Sequence, residues 1–236
     1  MEGIPKRVHY CWFGKKEKPR IVQECINSWR KYLKEYEIIE WNEDNFKIED
    51  FDFAKKAYSD KKWAFVSDYC RVIVLYNYGG IYLDTDMELL KGLDDLLVNN
   101  SFAGIEDYLI AFGIWGCKKN DSFIKEVLNY YNTLDYEDYK ENLIELSIPI
   151  HVTKIAQKYG YQLNCDSISY FFDKIAIYPK EYFYPKRHSW QEPLITKNTY
   201  TIHHYEGSWR SSHQILRSKI KGSLLNIIGG FRGKNI

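Results

Sequence analysis

Residues Phe65–Lys91 read FVSDYCRVIVLYNYGGIYLDTDMELLK, and three changes of pattern inside this stretch decide the fold. Phe65, Tyr69, Val72/Ile73 and Tyr76 recur at helical spacing, so Lys61–Tyr78 is expected to be a helix with one apolar stripe. Gly79-Gly80 then stops it, because glycine accepts the left-handed backbone found just past a helix C-terminus. Ile81–Leu83 follows as a short apolar strand, and Asp84-Thr85-Asp86 comes directly after it. Alternate side chains of a strand share a face, so Asp84 and Asp86 are expected to project together. They would do so at the strand's C-terminal end, where open α/β sheets bind ligands.

Working outward, Arg7–Phe13 (RVHYCWF) reads as a first buried strand closed by Gly14. Pro19–Lys34 has helical spacing and Glu37–Trp41 reads as a second strand. A strand–helix–strand opening begins a parallel sheet. Downstream, Tyr108–Trp115 reads as a strand, Asp121 as the N-cap of a helix to about Tyr131, and Pro149–Tyr159 as a helix. Tyr161–Pro185, rich in aromatics, reads as short strands and loops. The expected architecture is a Rossmann-like α/β domain over residues 1–210, a mostly parallel sheet flanked by helices. Residues 211–236 form a basic amphipathic tail.

The 236 residues suffice for one sizeable domain. A net charge of +1 provides no global field for nucleic acid, which is excluded as a partner. Aromatics make up 17%, including 21 Tyr and 7 Trp, which suits stacking on bases and sugar rings and equally suits a Tyr-rich core. Five cysteines without a CxxC pair argue against a disulfide framework or structural zinc and for a reducing, cytoplasmic setting. From Arg210 the tail interleaves Arg217, Lys219, Lys221 and Arg232 with Leu224, Leu225, Ile227 and Phe231. Such a segment either lies on the anionic inner face of a membrane or packs on the domain with its basic face solvated.

Two carboxylates at the spacing of Asp84 and Asp86 repel unless a cation sits between them. Mg²⁺ and Mn²⁺ take oxygen ligands and leave positions open for phosphate. A DxD alone is a weak signal, and its bland reading is a solvated turn. The glycine pair and apolar strand before it strengthen the reading. Asp68 and Arg71, three apart on a buried helix, are either a structural ion pair or groups for sugar hydroxyls and phosphate. His203-His204 and Trp209 lie in IHHYEGSW (Ile202–Trp209), where an imidazole can join a metal and a Trp can close over a diphosphate. Trp12, at the end of the first strand, is either core or a stacking surface for a base.

Together, IPKRVHYCWFG (Ile4–Gly14), Phe65–Lys91 and Ile202–Trp209 resemble glycosyltransferase family 32. That resemblance implies a GT-A fold, a nucleoside-diphosphate sugar donor (UDP-linked in the first instance), Mn²⁺ or Mg²⁺, and retention at the anomeric carbon. It implies donor contacts from Trp12, Asp68, Arg71, Gly80, Tyr82, Asp84, Ser208 and Trp209. Asp86 would be the direct metal ligand, with Asp84 and His204, and Asp84, Asp86 and Arg71 would carry the chemistry. Relatives of this kind serve surface polysaccharides, so a saccharide or lipid-linked oligosaccharide acceptor is expected. Glu106, Asp107 and Asn120 are the acceptor-side candidates, in a region where the resemblance thins. Two other readings stay open: a non-catalytic sugar-binding paralogue, and a phosphatase with an aspartate nucleophile. The latter wants Thr or Val where Glu88 stands.

Overall fold

The structure is a computed structural model that describes residues 3–206. The proposed tail (residues 211–236), together with Ser208 and Trp209, lies outside the described residues. Nine strands and six α-helices follow one another as β1 (Arg7–Cys11), α1 (Arg20–Tyr32), β2 (Glu37–Trp41), α2 (Asp52–Ser59), α3 (Trp63–Tyr78), β3 (Gly80–Leu83), β4 (Met87–Leu89), β5 (Ser101–Glu106), β6 (Leu109–Cys117), α4 (Ser122–Tyr131), α5 (Ile148–Lys158), β7 (Ser169–Phe171), β8 (Ile175–Tyr178), α6 (Lys180–Phe183) and β9 (Thr201–His203).

Seven strands form one sheet in the order β2-β1-β3-β6-β5-β8-β7. β1 pairs in parallel with β2 and β3, and β5 with β8. β6 runs antiparallel to β3 and β5, and β7 antiparallel to β8. Five strands therefore share one direction, and the expected mostly parallel sheet acquires a reversed strand at its centre. Side-chain alternation divides the core between the two faces. Tyr82, Ala103, Phe112 and Trp115 point into a cluster under α2, α3, α4 and α5 with Phe53, Tyr69, Phe123 and Tyr131. Ile81, Leu83, Phe102 and Ile114 point the other way, onto Trp29 of α1, Met87 of β4 and Phe183 of α6.

The glycine pair behaves as its chemistry requires. The Gly79 N–H caps α3 on the Leu75 carbonyl, 2.9 Å away, with φ at +61°. A Cβ at Gly79 would lie 2.4 Å from the Lys119 amide nitrogen, and one at Gly80 (φ +108°) 2.6 Å from the Arg7 carbonyl oxygen. No side chain fits either place, and the chain turns directly from helix into central strand. Asp121 caps α4 as expected, its carboxylate accepting from the Phe123 and Ile124 amides at 3.0 and 2.9 Å.

β4 and β9 make a separate two-stranded antiparallel ribbon, with Met87 opposite His203 and Glu88 opposite Ile202. The ribbon is tied to α1: the Trp29 indole N–H donates to the Met87 carbonyl at 2.6 Å, and the Leu89 amide donates to Ser28 Oγ at 2.9 Å. This joins a segment 112 to 116 residues downstream to the chain just beyond the DxD.

Candidate active site

The DxD lies in a tight turn and not, as expected, on extended strand. β3 ends at Leu83, the Asp84 amide donates to the Gly113 carbonyl at 2.8 Å, and the Met87 amide returns to the Asp84 carbonyl at 3.0 Å. The two carboxylates consequently diverge. Asp84 Oδ1 meets Arg71 at 3.0 Å and accepts from the Tyr82 hydroxyl at 3.2 Å. Asp86 Oδ1 meets His203 Nε2 at 3.2 Å, while its Oδ2 accepts from the Glu206 amide at 2.9 Å. Gly113 clears the space beside Asp84, since a Cβ there would come within 3.0 Å of Asp84 Oδ2 and 3.1 Å of Tyr184 Oη.

Arg71 is the anchor of the first acid. It is 6% exposed, its guanidinium lies 4.4 Å from the Tyr82 ring centroid, and its nitrogens reach Asp68 at 3.1 Å, the Phe112 carbonyl at 3.1 Å and the Ser67 carbonyl at 3.3 Å, besides Asp84. The planar five-donor fork suits such a cluster. Both Asp68 and Arg71 are buried on protein partners, so neither faces open space as the reading of direct sugar and phosphate contacts requires. Burial pushes the Asp68 carboxyl up to about 7, against the pull of Arg71. Burial works against the Arg71 charge too, but Asp84, Tyr82 and Asp68 more than offset it and hold the guanidinium firmly protonated.

The imidazole beside Asp86 belongs to His203, not to His204. Side chains alternate along β9 and its extension, so His203 faces Asp86 while His204 turns to the face carrying Glu88, 2.8 Å away. Burial alone would lower the His203 pKa, yet Asp86, Glu106 and Asp84 raise it to about 9. Burial would likewise raise Asp86, but His203 and the Glu206 amide bring it down to about 2. The two form an ion pair. Glu106, at the end of β5, stands 4.0 Å from His203 Nδ1, and burial raises its carboxyl above the ordinary range. Glu106 is thus the acceptor-side candidate brought into the site.

Other expected residues are dispersed. Asp107 sits in an exposed turn at φ +46°, paired with Arg187 at 3.1 Å. Asn120 lies at the opposite edge of the sheet. It follows Cys117, which is opposite Gly80, and its amide donates to the Tyr76 carbonyl. Gly80 occupies that same far edge, four residues before Asp84, and its role is to let the backbone pass Arg7. Tyr82 is 1% exposed and supports Asp84 from below. Trp12 is at the same sheet edge as the DxD, just beyond β1, with its indole N–H donating to the Lys16 carbonyl at 2.7 Å and Lys18 Nζ 5.7 Å from its ring centroid. Sequence reasoning missed Gly113, Tyr184 and the Phe112 carbonyl. None carries a local signal, since each enters through the reversed strand β6 or the segment after α6.

The fold is of the GT-A-like class, a mostly parallel sheet flanked by helices. Residues 19–103, 85 of the 236, match the family described as glycosyltransferase sugar-binding region containing DXD motif. Inositol phosphoceramide mannosyltransferase 1 of Schizosaccharomyces pombe is 30% identical over 113 residues, 43% of this chain and 34% of that protein. An uncharacterized Arabidopsis thaliana protein is 29% identical over 140 residues, 57% of this chain and 20% of that one. The chain thus spans about a fifth to a third of the length of the curated relatives it matches. Among solved structures, the PaToxG glycosyltransferase shares the fold with a TM-score of 0.54 at 17% identity, over 66% of this chain and 69% of that chain.

Proteins with this motif use a divalent cation, and the residues present fit one. Among the described residues no three His, Cys, Asp or Glu side chains already converge as a cage. Mg²⁺ and Mn²⁺ sites of nucleotide enzymes need only one or two carboxylates, with phosphate and water completing the shell. Asp86 and Asp84 would supply those carboxylates. Among the described residues, His203 Nδ1 is buried without a hydrogen-bond partner, and His203 Nε2 meets only the Asp86 carboxylate that a cation would share.

Proposed function

We propose that this chain transfers a hexose or N-acetylhexosamine from a nucleoside-diphosphate sugar, UDP-linked in the first instance, to a saccharide or lipid-linked oligosaccharide acceptor, with retention at the anomeric carbon. The observation that carries the reading is the Asp84–Asp86 turn at the C-terminal edge of the sheet, with each acid oriented by its own buried cationic partner, Arg71 or His203. Asp86 and Asp84, with His203 in place of the expected His204, would hold Mn²⁺ or Mg²⁺. Once bound, that ion would neutralise the charge growing on the departing diphosphate.

The protein groups divide the remaining work. Arg71 fixes the Asp84 carboxylate through Oδ1, leaving Oδ2 for a ribose or sugar hydroxyl. Trp12 stands where a base would stack, at the end of β1. Glu106, whose carboxyl burial raises, suits receipt of the acceptor's hydroxyl proton. Attack on the same face as the leaving diphosphate requires no protein nucleophile. The tail, if it contacts the inner face of a membrane, would bring the active edge to a lipid-linked acceptor.

Release of free UDP or GDP from a panel of nucleotide sugars, with and without Mn²⁺, tests the reading. Metal-dependent release is the expected result. Mannose donors belong in the panel because the fission-yeast relative is a mannosyltransferase. A panel that yields no nucleotide under any metal condition returns the chain to a sugar-binding role, and release of inorganic phosphate from phosphomonoesters returns it to the phosphatase reading.

A further inference from the structure

Lys186 is a buried cation that the site as described leaves unused. It is 7% exposed and makes no side-chain hydrogen bond and no ion pair within 4.0 Å among the described residues. Its stem is covered by the loop while its ammonium has no carboxylate within 4.0 Å among the described residues, which leaves it able to take an anion supplied from elsewhere.

The backbone around it is fixed. The Leu194 amide closes the loop onto the Pro185 carbonyl at 3.0 Å, the Arg187 amide donates to Gln191 Oε1 at 2.9 Å, and the His188 and Trp190 rings stack at 5.2 Å. The Tyr205 hydroxyl donates to the Lys186 carbonyl at 2.9 Å, which ties this loop to the chain leaving β9. The Tyr205 ring in turn lies 4.1 Å from the His203 ring. Lys186 is therefore locked to the same short segment that delivers His203 to Asp86. The carboxylates that act on its ammonium are Glu192, Glu88, Asp86 and Glu206, three of them in or next to the DxD ribbon.

We infer that Lys186 is a diphosphate-binding residue, which takes the phosphate oxygens of a nucleoside diphosphate beside the ribbon that carries His203. The inference rests on the glycosyltransferase reading above and adds to it a residue outside the recognised motifs. A divalent ion and one ammonium together match a nucleoside diphosphate's charge of about −3, which neither supplies alone. Arg71, by contrast, is spent on Asp68, Asp84 and main-chain carbonyls. Burial lowers the Lys186 pKa against the pull of the four carboxylates.

Titration calorimetry of the full chain with UDP and UMP in Mn²⁺, with GDP and GMP in parallel, tests this. Lys186→Met, which keeps the stem and removes the charge, should weaken diphosphate binding roughly tenfold to a hundredfold while nucleoside monophosphate binding stays within about twofold. Lys186→Arg should stay close to wild type. The thermal midpoint of K186M without ligand should hold within ~4 °C. If K186M does not fold, Lys186→Gln carries the same comparison. Equal loss of monophosphate and diphosphate affinity, or no loss of either, overturns the inference alone. A wild-type chain that binds no nucleoside diphosphate overturns both it and the reading beneath it.

Discussion

At the scale of single residues the site is a balance of buried charges, and substitutions separate chemistry from stability. Asp86→Asn keeps the turn's shape and removes the charge a divalent ion requires. Turnover should fall by roughly 10²–10³ or more while the thermal midpoint moves by only a few degrees, checked by nucleotide release beside a melting curve. Near-normal turnover would remove Asp86 from metal binding. Arg71→Met has a different signature, because it strands Asp68 and Asp84, each held at about 3 Å in the native pair. Removing one partner of a buried ion pair costs about 3–5 kcal/mol, so this variant should lose stability and activity together in urea titration and assay. The residues that sequence patterning identifies best are those whose own chemistry constrains them: Asp84, Asp86 and the glycine pair. Whether Arg71 meets a ligand or a protein acceptor is not legible there, because Phe112 and Ser67 contribute main-chain carbonyls that any residue would provide.

At the scale of elements, β9 makes the sharpest distinction. Strand alternation puts His203 on Asp86 and His204 on Glu88. His203→Ala should therefore cut turnover about tenfold or more and raise the Mn²⁺ concentration needed for half-maximal rate, whereas His204→Ala should leave both within about threefold. A reversed order in metal titrations would return the ligand to His204. The two histidines are indistinguishable by composition, and a three-residue strand in a loop-rich region offers no periodicity from which to tell which face each takes. α1, β2, α3 and α4 were legible because their stripes and caps are local. β5 and the direction of β6 were not, since a reversed strand in a largely parallel sheet is set by pairing with Gly80–Leu83 and not by its own sequence. Asn120 was misplaced for the same reason: β6 carries the chain away from the site before that residue is reached.

At the scale of the whole molecule, acid stability depends on histidines held neutral inside the fold. His9 is fully buried, with Nε2 donating to the Gly79 carbonyl at 2.8 Å and Nδ1 accepting from the Trp41 indole at 3.0 Å. Burial chiefly lowers its pKa to about 4, against the Gly79 carbonyl, and burial does the same at His151. The unfolded chain takes up protons below about 6.5 while the native chain does not. The stability these groups confer is thus present above 6.5 and lost as pH falls toward 4. His9 alone should account for roughly 2 kcal/mol between pH 7 and pH 5. Asp68, raised to about 7 mainly by burial, acts in the opposite sense, so the clean measurement is the difference in urea midpoint between wild type and His9→Gln at the two pH values. The variant should lose less on acidification, and parallel slopes would refute the assignment. The ribbon of β4 and β9 has one more consequence, in the order of synthesis. The ribosome delivers Asp86 long before it delivers His203, so a nascent chain can shape its sheet around Gly79-Gly80 yet stays chemically incomplete until the 203rd residue has cleared the exit tunnel.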